Sequence, residues 1–314
     1  FLPPSVTESQ ALFAFEEITH GPLTWQFGGR VERTDIKAEG SGTKRTTEPS
    51  GSVGALWKLD PAHILALSIA HTGRSPNAQE LFADGPHAGT QAYEQGDRNL
   101  DTERSLSLEL SLRRREGFVT GAVTVFTNRF RGFIFQQPTG LLALENNGAW
   151  EFTDNTGAEE AGLPVYRTVQ RNANFWGAEV ETLWHLHEKR DWQLDLRLAA
   201  DFTRAREGGR DLPRIPPART TVGLLWATVN WSTGAEVQFG SSQNRVAANE
   251  TRSDGYNLVS AHVSRAFTHG HVRAEIFVRG TNLLDEEIRP HASFVKELAP
   301  LAGRGVTAGV RLTF

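Results

Sequence analysis

Two stretches of the chain concentrate side chains able to bind a metal ion. Glu80, Asp84, His87, Glu94 and Asp97 lie in the first, and Glu286, Glu287, His291 and Glu297 in the second. Cysteine is absent, so thiolate ligation, thiol nucleophiles and disulfides are excluded. Imidazole nitrogen and carboxylate oxygen remain, a donor set suited to borderline metals. A solvated charged loop has the same composition, so both readings stand at this point. His185 and His187 are two apart and share a face if the segment is a strand, and His269 and His271 flank a turn. Enzyme signatures are missing: there is no Gly-x-Ser-x-Gly, no phosphate-cradling loop and no His-Glu-x-x-His. Glu16-Glu17, Glu159-Glu160 and Glu286-Glu287 are neighbours, and in strands neighbours face opposite sides, which is poor geometry for a glycosidase pair.

The elements that must carry these residues are strands. Leu106, Leu108, Leu110 and Leu112 alternate with Ser107, Glu109 and Ser111, and Val306, Ala308, Val310, Leu312 and Phe314 alternate with Thr307, Gly309, Arg311 and Thr313. Period-two alternation of this kind marks strands with one apolar and one wet face. It predicts about thirteen strands: 9–19, 23–36, 52–60, 63–74, 102–115, 118–136, 165–187, 191–206, 218–230, 232–248, 255–267, 270–282 and 302–314. Many exceed an ordinary soluble strand and suit the roughly 9–11 residues that a tilted strand needs to cross a bilayer. Short connections alternate with long ones at 37–51, 75–101, 137–164, 207–217, 249–254 and 283–301. This is the asymmetry of an outer-membrane barrel, with tight periplasmic turns and long external loops. Trp25, Trp57, Trp184, Trp192, Trp226 and Trp231 lie near short connections, where a periplasmic aromatic girdle belongs.

The numbers agree with this reading. Hydrophobic residues make up 39% and charged residues 22% of the 314, too ordinary for disorder. A formal charge of −4 excludes a dominant basic footprint for nucleic acid. No run approaches the 18 or so apolar residues of a membrane helix. Length alone suggests about two soluble domains, but alternation replaces that with one barrel. Inward charges such as Arg30, Glu32, Glu109, Arg113, Asp195, Arg197, Asp201 and Arg311 fit a wet lumen, because each unpaired ion in a dry core would cost several kcal/mol.

Residues 71–112, HTGRSPNAQELFADGPHAGTQAYEQGDRNLDTERSLSLELSL, resemble the TonB-dependent outer-membrane receptors. The matching positions are Arg74, Pro76, Glu80, Leu81, Asn99, Leu100 and Glu103, with Asp97-Arg98 where the family usually has Asn-Pro. Further matching segments hold Gly177 and Glu179, then Pro213 and Pro216, then Asn282 and Leu283, then Gly303 and Arg304. Leu284 stands where Phe is common. A last alternating strand ending in Phe314 is similar to the C-terminal signal read by the barrel-assembly machinery.

The resemblance implies an all-β, antiparallel up-and-down transmembrane barrel of 22 strands, closed by an N-terminal plug that carries the TonB-binding box. Residues 1–314 are then expected to form the C-terminal part, with the plug and first strands outside this chain. The absence of methionine and the start at Phe1 point the same way.

Within the family the run 76–87 most resembles the ZnuD-type zinc receptors. That implies zinc as cargo, with haem or a ferric siderophore as alternatives, and substrate or metal contacts at Glu80, Asp84, His87, Glu94 and His291. Some ligands of the zinc class lie on the plug. The implied partners are the TonB complex, the barrel-assembly machinery, and outer-membrane lipid and lipopolysaccharide, in the outer membrane of a Gram-negative bacterium. No catalytic residue or catalytic cofactor is expected. A barrel enzyme, an adhesin and a passive porin are the competing classes.

Overall fold

The computed structural model describes residues 1–154 and 162–314; the Glu159-Glu160 pair lies outside them. Among the described residues seventeen strands form one sheet, and no helix is long and apolar enough to cross a membrane. The strands are β1 (Ser5–His20), β2 (Leu23–Ala38), β3 (Gly42–Lys58), β4 (His63–Arg74), β5 (Asp84–His87), β6 (Ala92–Gln95), β7 (Glu103–Arg114), β8 (Val119–Asn146) and β9 (Ala149–Thr153). They continue as β10 (Leu163–Glu188), β11 (Trp192–Glu207), β12 (Arg210–Asp211), β13 (Arg219–Thr228), β14 (Trp231–Gly240), β15 (Tyr256–His269), β16 (Val272–Thr281) and β17 (Gly305–Thr313). A short helix, α1 (Ala78–Phe82), follows β4.

Four of these strands, β5, β6, β9 and β12, are five residues or shorter and sit within the connections. The other thirteen answer one for one to the thirteen alternating runs. Their antiparallel ladder runs β1-β2-β3-β4-β7-β8-β10-β11-β13-β14-β15-β16-β17.

Two expected loops are largely strand where the structure describes them. At 37–51, β2 and β3 stay paired from Leu23↔Trp57 to Ala38↔Gly42 around a three-residue turn, with Pro49 opposite Val31. At 137–164, β8 runs 28 residues and β10 runs 26, far beyond a bilayer crossing, and they stay paired out to Leu163↔Ala143. Neither extension alternates cleanly, so period two did not reveal them. In the other direction, β14 stops at Gly240, short of the expected 248.

The wall has a wet face and an apolar face. Leu106, Leu108, Leu110, Leu112, Val123 and Val125 are all more than 40% exposed, as lipid-facing residues are when no lipid is counted. The opposite face carries ion pairs such as Arg197 with Glu181 and Glu236, and Arg311 with Glu275. Dry packing is confined to the long-loop side. One cluster joins Ile36, Leu81, Phe82, Leu100 and Ile134; another gathers Phe130, Phe133, Phe135 and Phe175 around Ala173, Ala205 and Leu212. The bulge at Gly132 (φ 67°), where the β8–β10 register shifts between Arg171 and Ala173, turns Phe133 into the second cluster.

Candidate functional site

The long-loop edge is held together by charge-assisted contacts that start at the end of β4. Arg74 donates to Glu80 (2.9 Å) and to Glu103 (3.2 Å). Glu80 also closes a capping box with Asn77, which gives five-residue α1 a defined start. Glu103 in turn accepts the Ile134 amide at 2.8 Å. Leu81, Leu100 and Pro76 are buried beneath this clamp. The residues that carry the sequence motif thus share one task, fastening the 75–101 loop to the wall.

Beyond the clamp lie two buried carboxylates. Glu94, with no exposure, accepts from His87 Nδ1 (2.8 Å), Thr90 Oγ1 (2.7 Å), Gln79 Nε2 (2.7 Å) and Gln136 Nε2 (2.7 Å). Burial alone would raise the pKa of this carboxyl, but the four donors outweigh it and hold the value below the ordinary glutamate range. Four bonds also fill the acceptor sites of an ionised carboxylate. His87 is half-buried and stacks on Phe1 at 4.2 Å. Asp84 is exposed and accepts from Tyr93 Oη at 2.9 Å. Burial, then this bond, push the Tyr93 hydroxyl up to about 12.

Glu250 is the second node. It accepts the Arg214 amide (2.7 Å) and the Ala247 amide (2.9 Å), and His291 Nε2 lies 3.3 Å from its Oε1. His291 is 2% exposed. Its Nδ1 meets Ser253 Oγ at 3.0 Å and Lys296 Nζ at 3.3 Å. An ammonium can only donate, so Nδ1 accepts and the neutral ring carries its proton on Nε2, which closes no hydrogen bond and has the Glu250 carboxylate 3.3 Å away. Burial works to raise the Glu250 pKa; the His291 contact and the two amides overcome it and leave it lowered. Lys296, also buried, donates to the Thr251 carbonyl, and desolvation lowers its pKa.

Arg214 joins the two nodes. Its φ of 59° aims its amide at Glu250, while its guanidinium lies 4.0 Å over the Phe294 ring and donates to the Gln136 carbonyl at 2.8 Å. One polar chain therefore ties together the loops at 75–102, 208–218, 241–255 and 282–304 and the extended half of β8 at Gln136.

The expected metal-binding residues are not brought to one point. Glu80 belongs to the Arg74 clamp, His87 and Glu94 pair with each other, and His291 sits in the second node. Among the described residues no group of three or more histidines and carboxylates could hold a metal ion. Asp97 accepts the Asn99 amide, Glu286 the Asn257 amide and Glu297 the Thr251 hydroxyl, and Glu287 pairs with Arg289. Sequence reasoning missed Gln136, Arg214, Glu250 and Lys296. Of these, Arg214, inside the Leu212–Pro216 motif, and Lys296, between His291 and Glu297 in the second stretch of candidate ligands, stood in segments already marked.

At the short-turn edge, Thr120, His185 and Asp195 line up, with Thr120 Oγ1 3.2 Å from His185 Nε2 and His185 Nδ1 2.9 Å from Asp195. The order is that of a hydrolase, but these residues stand on paired strands, whose amides are spent on the ladder and not free to hold an oxyanion. His187 stacks on Trp192 at 3.6 Å. His269 ends β15, and His271 lies within the two-residue turn Gly270-His271 instead of flanking it.

The model of the TonB dependent receptor-like β-barrel family matches residues 2–283. The chain belongs to that family. It is 23% identical over 276 residues to the iron-regulated outer membrane virulence protein of Vibrio cholerae, covering 83% of this chain and 38% of that protein. Among solved structures it is similar to the copper transporter OprC (TM-score 0.75, 19% identity, 98% of this chain and 48% of that one). It is also similar to the FrpB iron transporter of Neisseria meningitidis, F3-3 variant (TM-score 0.69, 15% identity, 99% and 46%). The chain thus spans less than half the length of the relatives it matches, and at such identities the structures attest the fold alone. As a TonB-dependent receptor barrel it belongs to the outer membrane of a Gram-negative bacterium.

The remaining motif positions of the receptor barrel have structural work. Gly177 has no room for a Cβ, which would stand 2.3 Å from the Phe202 carbonyl and 2.6 Å from the Phe126 ring. Asn282, at φ 49°, bridges the ends of the last loop by donating to the Glu286 and Ala302 carbonyls, and Leu283 donates its amide to the Val259 carbonyl. Arg304 donates its amide to Asp285, beside Gly303. Pro213 is buried, Pro216 half-buried, and Glu179 and Phe314 exposed.

Proposed function

We propose that the whole protein is an energy-coupled receptor for an intact metal complex, of the ferric siderophore or haem kind, with residues 1–314 supplying the C-terminal part of its barrel. The observation that carries this reading is the saturation of Glu94. Four protein donors hold the carboxylate that a bare ion would need, so the loops are built as a braced vestibule, suited to enclosing a bulky ligand. Cargo bound there would bias the plug, and the TonB complex would supply the work of release into the periplasm. No catalytic step or catalytic cofactor enters this scheme. The barrel-assembly machinery would read the last strand, β17, and its Phe314.

Zinc is the second reading, and one observation favours it. His87 directs Nδ1 at Glu94, which leaves Nε2 with a free lone pair, the arrangement in which a carboxylate orients a ligating imidazole. Asp84 stands on the same short strand, and further ligands would come from outside this chain. Uptake by the full-length protein separates the two readings. In cells lacking their own receptors, the first expects growth and label uptake with an iron chelate or haem, unaffected by excess zinc. Uptake of zinc-65 without uptake of any iron complex would overturn it in favour of the second.

A further inference from the structure

We propose that Asn147 is a site of spontaneous deamidation, and that the isoaspartate formed there releases β9 from the external loops. β8 and β9 pair out to Asn146↔Ala149, so a two-residue turn, Asn147-Gly148, joins them at the far end of β8. Both turn residues have positive φ, 52° and 82°. This is the type I′ geometry, for which Asn-Gly is a preferred pair. Asn-Gly occurs once in the chain. Residues 146–149 are all exposed. Among the described residues the Asn147 side chain makes no hydrogen bond and the Gly148 amide donates to no acceptor. The neighbouring Asn146 side chain, by contrast, is held by Glu151 at 3.2 Å. A Cβ at Gly148 would meet no atom within 4 Å, so nothing shields the peptide nitrogen.

This arrangement favours an intramolecular ring closure. The Gly148 nitrogen attacks the side-chain carbonyl carbon of Asn147. A C–N bond forms, the amide C–N bond breaks, and ammonia leaves with the proton from the attacking nitrogen. The product is a five-membered cyclic imide. Water then opens one of its two carbonyls, giving aspartate or isoaspartate. In isoaspartate the main chain runs through the side-chain methylene. Closure requires Asn147 to leave the backbone conformation that the turn imposes. Only the terminal pair of a two-stranded ribbon has to open for that, and fraying of this kind costs little.

The consequence follows from what the turn holds in place. Trp150 and Phe152 lie two apart on one face of β9 and set their rings edge-on to Tyr93, with centroids 5.2 and 5.1 Å away. Tyr93 in turn donates to Asp84. A two-residue turn has no place for the extra backbone carbon of isoaspartate, so the Asn146↔Ala149 pair is lost and the two rings lose their support. The reaction also adds an anion beside Glu145 and Glu151, both exposed at the tip.

The inference does not depend on the cargo. The test holds the natural full-length protein in mildly alkaline buffer, folded in detergent and, in parallel, unfolded in denaturant. Peptide mapping by mass spectrometry follows amide loss at each asparagine, and an isoaspartyl methyltransferase marks the isoaspartate. Folded Asn147 is expected to convert within about tenfold of its rate in the unfolded chain, and faster as pH rises, because the attacking nitrogen must lose its proton. Exposed Asn146 and Asn249 should keep their amides. Gly148→Ala, which crowds the nitrogen, should slow conversion by about tenfold, or about 1.4 kcal/mol in the barrier. In aged protein, amide exchange across Ala149–Thr153 should rise in step with isoaspartate content. Asn147→Asp, which has the charge without the extra backbone carbon, should exchange as wild type. A folded Asn147 that keeps its amide while the unfolded chain converts would overturn the proposal, as would equal conversion at Asn146 and Asn249. Conversion without faster exchange across β9 would overturn the release. If Gly148→Ala does not assemble, the comparison of folded with unfolded wild type decides.

Discussion

His291 Nε2 lies 3.3 Å from Glu250 Oε1 without closing a hydrogen bond to it, and together with the His291–Ser253 and Lys296–Thr251 bonds this contact fastens the last long loop to the 241–255 loop. The neighbours make Glu250 the more costly of the two to lose. Removing its side chain strands the Arg214 and Ala247 amides and takes from buried Lys296 the carboxylate that most favours its charge. A charged group losing its hydrogen-bonded partner in a buried site costs about 2–3 kcal/mol. Glu250→Ala is therefore expected to speed amide exchange across 241–255 and 282–304 by tens of fold, while β15 and β16 stay protected. His291→Ala, which removes the contacts to Glu250, Ser253 and Lys296 but no amide acceptor, should show a smaller effect in the same segments. Unchanged exchange in Glu250→Ala would show that the loops are held by something else.

The same nodes set a pH dependence. Glu94 and Glu250 both have folded pKa values below the ordinary glutamate value of 4.5. The unfolded loops therefore bind more protons than the folded ones in the acid range. The stabilisation is complete above the unfolded value and is lost as pH falls through the lower folded values. Loop protection should be level from pH 7 down to about 5 and fall below the ordinary carboxylate range, ahead of the wall strands. Hydrogen exchange at matched intrinsic rates checks this, and a loss centred near pH 6.5 would point to histidine instead.

The wall was legible in the sequence because bilayer and lumen impose period two on every residue that touches them. The thirteen long strands, the short turns and the tryptophans at the short-turn edge followed from that rule. The vestibule was legible only in part. Arg74, Glu80 and Glu103 stood out by their spacing, but their joint role as a clamp needs the β4–β7 pairing to bring them together. Glu250, Lys296 and Gln136 come from two loops and the extended half of β8, far apart in the chain, where no clean periodicity applies, and their roles depend on burial that composition does not encode. His87 and Glu94, singled out as possible ligands, meet each other because β5 and β6 form a hairpin.

Gly177 offers a test of wall packing. A methyl group there would meet the Phe202 carbonyl and the Phe126 ring, and the carbonyl belongs to the paired strand β11, so neither neighbour can retreat without disturbing the ladder. Overpacking typically costs about 1–3 kcal/mol, and more is expected where backbone must move. Gly177→Ala should lower the temperature of the heat-modifiable gel shift and reduce assembled barrel, and Gly177→Val should do so more severely. A normal transition in Gly177→Val would mean that β10 and β11 can part locally.

Arg74 tests whether shape or charge holds the first loop. Its guanidinium reaches Glu80 with Nη1 and Nη2 and Glu103 with Nε and Nη2, a four-contact fork that an ammonium cannot reproduce. The side chain is 43% exposed, so solvent screens part of the attraction and the loss on Arg74→Lys is set at about 1 kcal/mol. Arg74→Ala should cost more, because Glu103 stays buried beneath the loop with only the Ile134 amide. Limited proteolysis within 75–101 should then rank alanine above lysine above wild type. Cleavage of the lysine variant at the wild-type rate would show that charge suffices and the forked geometry is dispensable.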